Sequence, residues 1–226
     1  MSKDSAKNTS VKKGLPDWFN FISALLGLFF LSPLFIVVSI LVKITSKGPV
    51  FFKQKRVGKN GKEFFLYKFR TMRIDSEGPK ITAKNDARIT KIGRILRKTK
   101  IDELPQLLNV LKGDMAVVGP RPEVKEYTEL NKELWNQILK VKPGITDPVT
   151  LKLRNEEELL SKAESPQNFY SNYLAKYKAE GYLDYINNRC AFFDLKIILK
   201  TILGVVFPKI NPPPNIDEIY KGWKNE

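Results

Sequence analysis

The stretch WFNFISALLGLFFLSPLFIVVSILV, Trp18 to Val42, runs for 25 residues between Asp17 and Lys43 without one formal charge. As a straight helix rising about 1.5 Å per residue it would reach about 37 Å, enough for a hydrocarbon core of roughly 30 Å. No other run in the 226 residues compares with it, so a multi-pass transporter is excluded. A secretory signal is a poor reading, because the run exceeds the usual 7–15 apolar residues and no small-residue cleavage site follows. Two readings remain. One is a single spanning anchor, kinked at Ser32-Pro33. The other is a helix–break–helix that enters and leaves the same leaflet, with arms of about 12 residues, each about 18 Å and too short to span. Basic residues on both flanks favour the second: Lys3, Lys7, Lys12 and Lys13 precede the run and a strongly basic segment follows, and both belong in the cytoplasm by the positive-inside rule. Pro33 removes a backbone donor near the middle of the run and favours a kink. The Ser32 hydroxyl is placed to satisfy the carbonyl so freed.

Apolar residues make up 42% and charged residues 28%, a globular composition too hydrophobic for a disordered chain. The net charge of +15 is concentrated: residues 43–100 carry +14 of it, against +2 before and −1 after. An acidic partner is expected, whether phosphate, nucleic acid or anionic lipid. The chain has no histidine, which removes His-based triads, most zinc sites and imidazole proton shuttles. Any chemistry falls to carboxylates, hydroxyls, Lys and Arg. Cys190 stands alone, so there is no internal disulfide and no thiolate metal cluster.

Beyond the apolar run, residues 50–57 and 63–70 are aromatic-rich and flank Gly58-Lys59-Asn60-Gly61, the pattern of a β-hairpin. Residues 74–86 read as a polar loop. Asp86 is a candidate cap for a helix over 87–99, in which Ile89, Ile92, Ile95 and Leu96 recur at helical spacing. A short helix over 102–112 has Pro105 in its first turn and Gly113 as its stop. Met115 to Val118 is a brief buried run, and helices are expected over 123–139 and around 155–180. Residues 189–206 are amphipathic and read as a core helix or as one lying in the headgroup plane. The Pro-rich 208–214 reads as a surface extension.

Asp102-Glu103 opens a helix beside a strongly cationic one. An acidic pair there can be capping and dipole complementarity alone. Next to Arg97, Lys98 and Lys100, however, the exposed N–H groups of a helix start favour a phosphate. A carboxylate in that field stays ionised, able to attack a phosphoryl group or to hold magnesium. In Gly119-Pro120-Arg121-Pro122 the flanking prolines fix one Arg for bidentate phosphate binding, or simply make a rigid turn. Lys142-Pro143-Gly144-Ile145-Thr146 is a second turn. Arg154 before Glu156-Glu157-Glu158 reads as a helix-surface pair.

Together these motifs resemble the bacterial sugar transferases of the small monotopic phosphoglycosyl transferase family. The resemblance runs from about Trp18 to Phe207. It is carried by Ser32-Pro33, Gln54-Lys55-Arg56-Val57-Gly58, Lys68-Phe69-Arg70-Thr71-Met72, Ile101-Asp102-Glu103-Leu104-Pro105-Gln106, Asn109-Val110-Leu111-Lys112-Gly113-Asp114-Met115, Val118-Gly119-Pro120-Arg121-Pro122-Glu123 and Lys142-Pro143-Gly144-Ile145-Thr146. It implies transfer of a sugar phosphate from a UDP-sugar to polyprenyl (undecaprenyl) phosphate with release of UMP, the first step of a glycan assembly. It implies that Asp102 is the nucleophile of a phosphosugar–aspartyl intermediate and that Glu103, with Asp102, holds Mg2+. Lys68, Arg70, Arg97, Arg121 and Arg154 are implied substrate ligands, and Ser32-Pro33 the break of a re-entrant helix. The location implied is the cytoplasmic face of the bacterial inner membrane, in one leaflet, with no nucleic-acid partner and room for a homodimer. One departure stands out: Asp147-Pro148-Val149-Thr150 replaces the Gly-Trp-Ala-Gln that many members carry, which leaves the sugar open.

The expected architecture is therefore mainly α with a small β-hairpin: a monotopic membrane protein with an N-terminal re-entrant helix and interfacial amphipathic helices. Residues 1–17 form a basic segment, 18–42 the membrane helix, 43–207 the catalytic domain and 208–226 a C-terminal extension. The competing class is a membrane-tethered basic nucleic-acid binder or scaffold, motivated by the +14 segment and by Phe64, Phe65, Tyr67 and Phe69 among its cations.

Overall fold

A computed structural model describes residues 12–74, 86–207 and 212–224. Most of the expected polar loop, at 75–85, lies outside the described residues, as do Lys3 and Lys7 and the Pro-rich residues 208–211. The protein is mostly helical with one small antiparallel hairpin, as the sequence indicates.

The apolar run forms α1, Asp17–Thr45, unbroken in secondary structure through Pro33. It is the one helix among the described residues long and apolar enough to cross a membrane. Pro33 has no N–H to give the Phe29 carbonyl, and the Ser32 hydroxyl donates to that carbonyl instead, at 2.7 Å. One stripe of α1 is buried, at Asn20, Ala24, Val38 and Val42. Its other faces are open: Phe29 and Phe30 are 71% and 72% exposed.

The hairpin pairs β1, Phe51–Val57, with β2, Glu63–Phe69, from Phe51↔Phe69 to Val57↔Glu63. Its turn carries positive φ at Asn60 (57°) and Gly61 (76°), which explains the Asn-Gly sequence. The next helix, α2, is Lys91–Thr99, shorter than expected because Thr90 is its cap, accepting from the Gly93 N–H at 2.9 Å. Asp86 instead binds Arg88. A 3-10 turn, Ile101–Glu103, leads to α3, Gln106–Leu111, which Gly113 ends at φ 81°.

A two-stranded parallel sheet follows: β3, Ala116–Val118, with β4, Gly144–Thr146. The second strand falls where the sequence suggests only a turn. Gly119 and Gly144 meet backbone to backbone there, so a side chain on either would strike the other strand. The helix expected over 123–139 is two, α4 (Lys125–Leu130) and α5 (Lys132–Ile138), split at Asn131, whose φ and ψ of −129° and 53° are not helical. The helix expected around 155–180 is also interrupted. After α6 (Pro148–Lys152) come α7 (Glu156–Leu160) and α8 (Pro166–Phe169), then a π-helical turn, Tyr170–Leu174, and α9, Ala175–Asn188. These helices enclose the largest core, built on Trp135, Leu174, Tyr182 and Tyr185. The last two helices are α10, Ala191–Val206, and α11, Ile216–Tyr220; Ile219 of α11 is buried in the same core.

The amphipathic segment has a core face and an open apolar one. One face of α10 buries Asp194 and Ile197, while Phe192, Leu195, Leu199 and Ile202 point outward. Asp194 accepts from the Tyr185 hydroxyl (2.7 Å) and the Leu15 N–H (2.8 Å), tying α10 to the entrance of α1.

Both halves of α1 dock on this body. In the first, Ala24 packs with Phe64, Leu66, Val110 and Met115, and Asn20 accepts from the Val117 N–H at 2.8 Å while donating to the Leu15 and Pro16 carbonyls. In the second, Val38 and Val42 pack with Phe69 and Leu96. Asn20→Ala strips the Val117 N–H of its partner, so thermal unfolding in detergent will show a loss of about 1–3 kcal/mol. Ser39→Ala, which removes only a hydroxyl bonded to its own helix at Phe35, will cost less than about 0.5 kcal/mol.

Candidate active site

Lys100 adopts a left-handed conformation, φ 61° and ψ 14°, unusual for a side chain with a Cβ. It turns the chain sharply out of α2 into the 3-10 turn, so Asp102 and Glu103 stand at the start of a new helical run with the cations of α2 behind them. Both are shielded from solvent; Asp102 is 6% exposed.

The two carboxylates have opposite surroundings. Glu103 is saturated with cations: Oε1 accepts from Lys68 Nζ at 3.0 Å and from Arg121 Nη2, and Oε2 accepts from Arg121 Nη1 at 3.1 Å. Burial works to raise its pKa, but Arg121 and Lys68 overcome this and hold it well below the usual carboxylate range. Asp102 has no such partner, and its buried Oδ1 makes no hydrogen bond. Burial first, and then the neighbouring Glu103, push its pKa up to about 6 against the pull of Lys68, Lys100 and Arg97. The sequence suggests a carboxylate that surrounding cations keep fully ionised. Burial narrows that margin while leaving the ionised form predominant at pH 7.

Three separate segments build this arrangement. Lys68 reaches in from β2, Arg121 from the Pro-fixed loop after β3, and the dyad from the turn before α3. Asn109 of α3 fastens that helix to β2, accepting from the Tyr67 N–H at 3.1 Å and donating to the Phe65 carbonyl at 2.7 Å. Gln106 is fully buried between Glu103 and Asn109 in the chain, and neither end of its amide has a partner.

Of the residues singled out in the sequence, Lys68, Asp102, Glu103 and Arg121 converge. Arg97 lies within electrostatic reach of Asp102, but its guanidinium binds Glu157 of α7, with Nε 2.9 Å from Oε1. Arg154 donates to the Gly204 carbonyl of α10. Arg70 is buried at the end of α1, donating to the carbonyls of Lys47 (2.8 Å) and Ser46 (2.7 Å), where a cation also suits the helix dipole. Asp147, where the sequence departs from Gly-Trp-Ala-Gln, caps α6: it accepts from the N–H groups of Val149 (2.8 Å) and Thr150 (3.0 Å) and from the Thr150 hydroxyl (2.5 Å).

Sequence reasoning missed the role of Glu123, which is buried two residues past Arg121 and ion-paired to Arg56 and Lys178. Its only signal is its place next to Pro122. Among the described residues no three Asp, Glu or Cys side chains come together as a metal cage. A divalent cation held by one or two carboxylates and completed by phosphate and water needs no such cage, and the unmatched Oδ1 of Asp102 is a suitable donor. A pair of acidic groups, one neutralised by fixed cations and one left bare, suits nucleophilic or metal-assisted work on a phosphate.

Comparison with known proteins agrees with this chemistry. A family model described as bacterial sugar transferase matches residues 11–208. A Bacillus subtilis (strain 168) protein, provisionally named an undecaprenyl-phosphate N-acetylgalactosaminyl 1-phosphate transferase, is 47% identical over 148 residues, 65% of this chain and 76% of that protein. The UDP-glucose:undecaprenyl-phosphate glucose-1-phosphate transferase of Xanthomonas campestris pv. campestris is 38% identical over 206 residues, 88% of this chain. The match spans 40% of that longer protein. The exopolysaccharide production protein PSS of Rhizobium leguminosarum bv. phaseoli is 40% identical over 197 residues, 82% of this chain and 92% of that protein. With most of its length matched by the family model, the chain belongs to the bacterial sugar transferase family.

Proposed function

We propose that this chain transfers a sugar phosphate from a UDP-sugar to polyprenyl (undecaprenyl) phosphate, releasing UMP and starting the assembly of a glycan. The observation that carries the reading is the bare, buried Oδ1 of Asp102 beside a Glu103 whose charge Lys68 and Arg121 neutralise. The names of the relatives, which specify UDP-glucose and undecaprenyl phosphate, support the substrate classes.

In the first step a carboxylate oxygen of Asp102 attacks the β-phosphorus of the donor. The phosphoanhydride P–O bond breaks and UMP leaves with the electron pair. In the second step an oxygen of polyprenyl phosphate attacks the same phosphorus, the aspartyl P–O bond breaks, and the Asp102 carboxylate is restored. Two features of the chain aid both steps. Lys68 and Arg121 bring two positive charges against the one negative charge of Glu103, so an incoming phosphate is repelled by one carboxylate rather than two. The raised pKa makes Asp102 a stronger nucleophile than an ordinary aspartate while leaving it mostly ionised at pH 7. Mg2+ belongs to the proposal: the unpartnered Oδ1 of Asp102 would hold it, and Glu103 would join only by giving up Lys68 or part of the Arg121 grip; when bound, the ion would supply charge neutralisation of the phosphates.

The same reading includes the re-entrant topology. Asn20 and Ala24 in one half of α1, and Val38 and Val42 in the other, pack on one charged body. A spanning helix would carry one of those ends to the far side of the bilayer, away from its contacts. An α1 bent at Ser32-Pro33 keeps both contacts and leaves Phe29 and Phe30 as the deepest residues. The outward apolar face of α10 then lies in the same leaflet, at the cytoplasmic face of the inner membrane.

Asp102→Asn will reduce release of UMP from a UDP-sugar and polyprenyl phosphate by at least about 10^3-fold, and chelation of Mg2+ will abolish it. Normal turnover in that variant would contradict the proposal. In a Cys190→Ser background, Lys13→Cys and Lys47→Cys will label from the same side of membrane vesicles; opposite-side labelling would make α1 a spanning helix.

A further inference from the structure

Behind Arg121 the chain buries a second group of charges that takes no part in the two transfer steps. Glu123 is 5% exposed and Lys178 is 4% exposed. Glu123 Oε1 accepts from Lys178 Nζ at 2.8 Å and from the Tyr170 hydroxyl at 2.7 Å, and Oε2 accepts from Arg56 Nη1 at 3.0 Å. Arg56 Nη1 also donates to the Pro122 carbonyl at 3.1 Å, so the chain on the far side of Arg121 is gripped through both backbone and side chain. Lys178 Nζ stands 3.5 Å from Glu156 Oε2, and Glu156 directly follows Arg154-Asn155. Burial opposes the charge on Glu123, yet Lys178 and Arg56 bring its pKa down to about 2.

Stability is a weak reason to bury such a pair, because well-packed apolar residues serve as well or better. Placement is a stronger one. The ammonium of α9 meets carboxylates from two other segments, one beside Arg121 and one beside Arg154-Asn155, and a buried ion pair satisfied by further hydrogen bonds has little freedom to shift. We propose that Glu123 and Lys178 are positioning residues that set the place of Arg121 for the diphosphate of the donor nucleotide, and that they key the Arg121 loop to the Arg154-Asn155 segment. This inference rests on the reading of Arg121 as a ligand of the UDP-sugar.

The test uses the full chain in detergent with UDP, the part common to every UDP-sugar, and follows its dissociation constant and the thermal midpoint. Glu123→Gln and Lys178→Met will each lower the midpoint by unbalancing the buried charges, and the double variant, which removes one charge of each sign, will recover part of the loss, Arg56 having lost its carboxylate. The double variant will nevertheless bind UDP about tenfold more weakly, because Arg121 is no longer held. Wild-type UDP affinity in the double variant overturns the inference. Should the double variant stay unstable, Tyr170→Phe decides: it removes the hydroxyl that donates to Glu123 Oε1 and accepts from Lys178 Nζ (3.1 Å) while leaving every charge, and will weaken UDP binding about twofold to threefold with a smaller fall in midpoint than either charge variant. Unchanged binding there also overturns it. The parent reading fails separately, by wild-type protein that does not bind UDP or by an Arg121→Ala variant that binds it normally.

Discussion

The neutralisation of one carboxylate is the interaction on which the site depends. Asp102 and Glu103 are neighbours in a poorly solvated place, and two bare negative charges there would repel each other and any phosphate. The bidentate grip of Arg121 and the ammonium of Lys68 cancel one charge and leave the other. The difference appears in the two pKa shifts, Glu103 well below its usual range and Asp102 raised to about 6. Neither cation is local in sequence to the dyad, so the pairing exists only if the β-hairpin and the loop after β3 are both in place. Much of the fold serves that end, including the backbone contact of Gly119 with Gly144 and the Asn109 bridge from α3 to β2.

The proposed function adds a second constraint, depth: a water-soluble donor and a lipid-borne acceptor can share one nucleophile only at the level of the headgroups. The apolar surfaces of α1 and α10 face outward, and the charged body packs against both halves of α1. Asp194 ties the two helices together through Leu15, so their outward apolar faces are held in register with each other. Part of the basic character of residues 43–100 turns inward in this arrangement: Arg56, Lys68, Arg70 and Arg97 all hold carboxylates or carbonyls of the chain itself.

What was legible in the sequence was legible for local reasons. The hairpin announced itself because Asn60-Gly61 supplies the positive φ that its turn needs. The apolar run is uncharged for longer than any core helix requires, and Ser32 beside Pro33 repairs the gap that the proline makes. Asp102-Glu103 stood out by its cationic setting. Features that rest on distant pairs were not legible. A three-residue parallel strand such as Gly144–Thr146 has no period to detect, and no proline or glycine marks the break at Asn131. Arg70 reads as a phosphate ligand in its motif, but the structure places it on the carbonyls of Ser46 and Lys47, just past the end of α1. Nothing in the order of residues says that Lys178 meets Glu123, 55 positions earlier.

The most direct measurement is to quench the protein with a UDP-sugar and Mg2+ in the absence of polyprenyl phosphate and map the product by peptide mass spectrometry. The account predicts the mass of one sugar phosphate added on the peptide that contains Asp102, removed when polyprenyl phosphate is supplied. UMP released in full turnover with no such adduct at Asp102, or with the adduct on another residue, would contradict it.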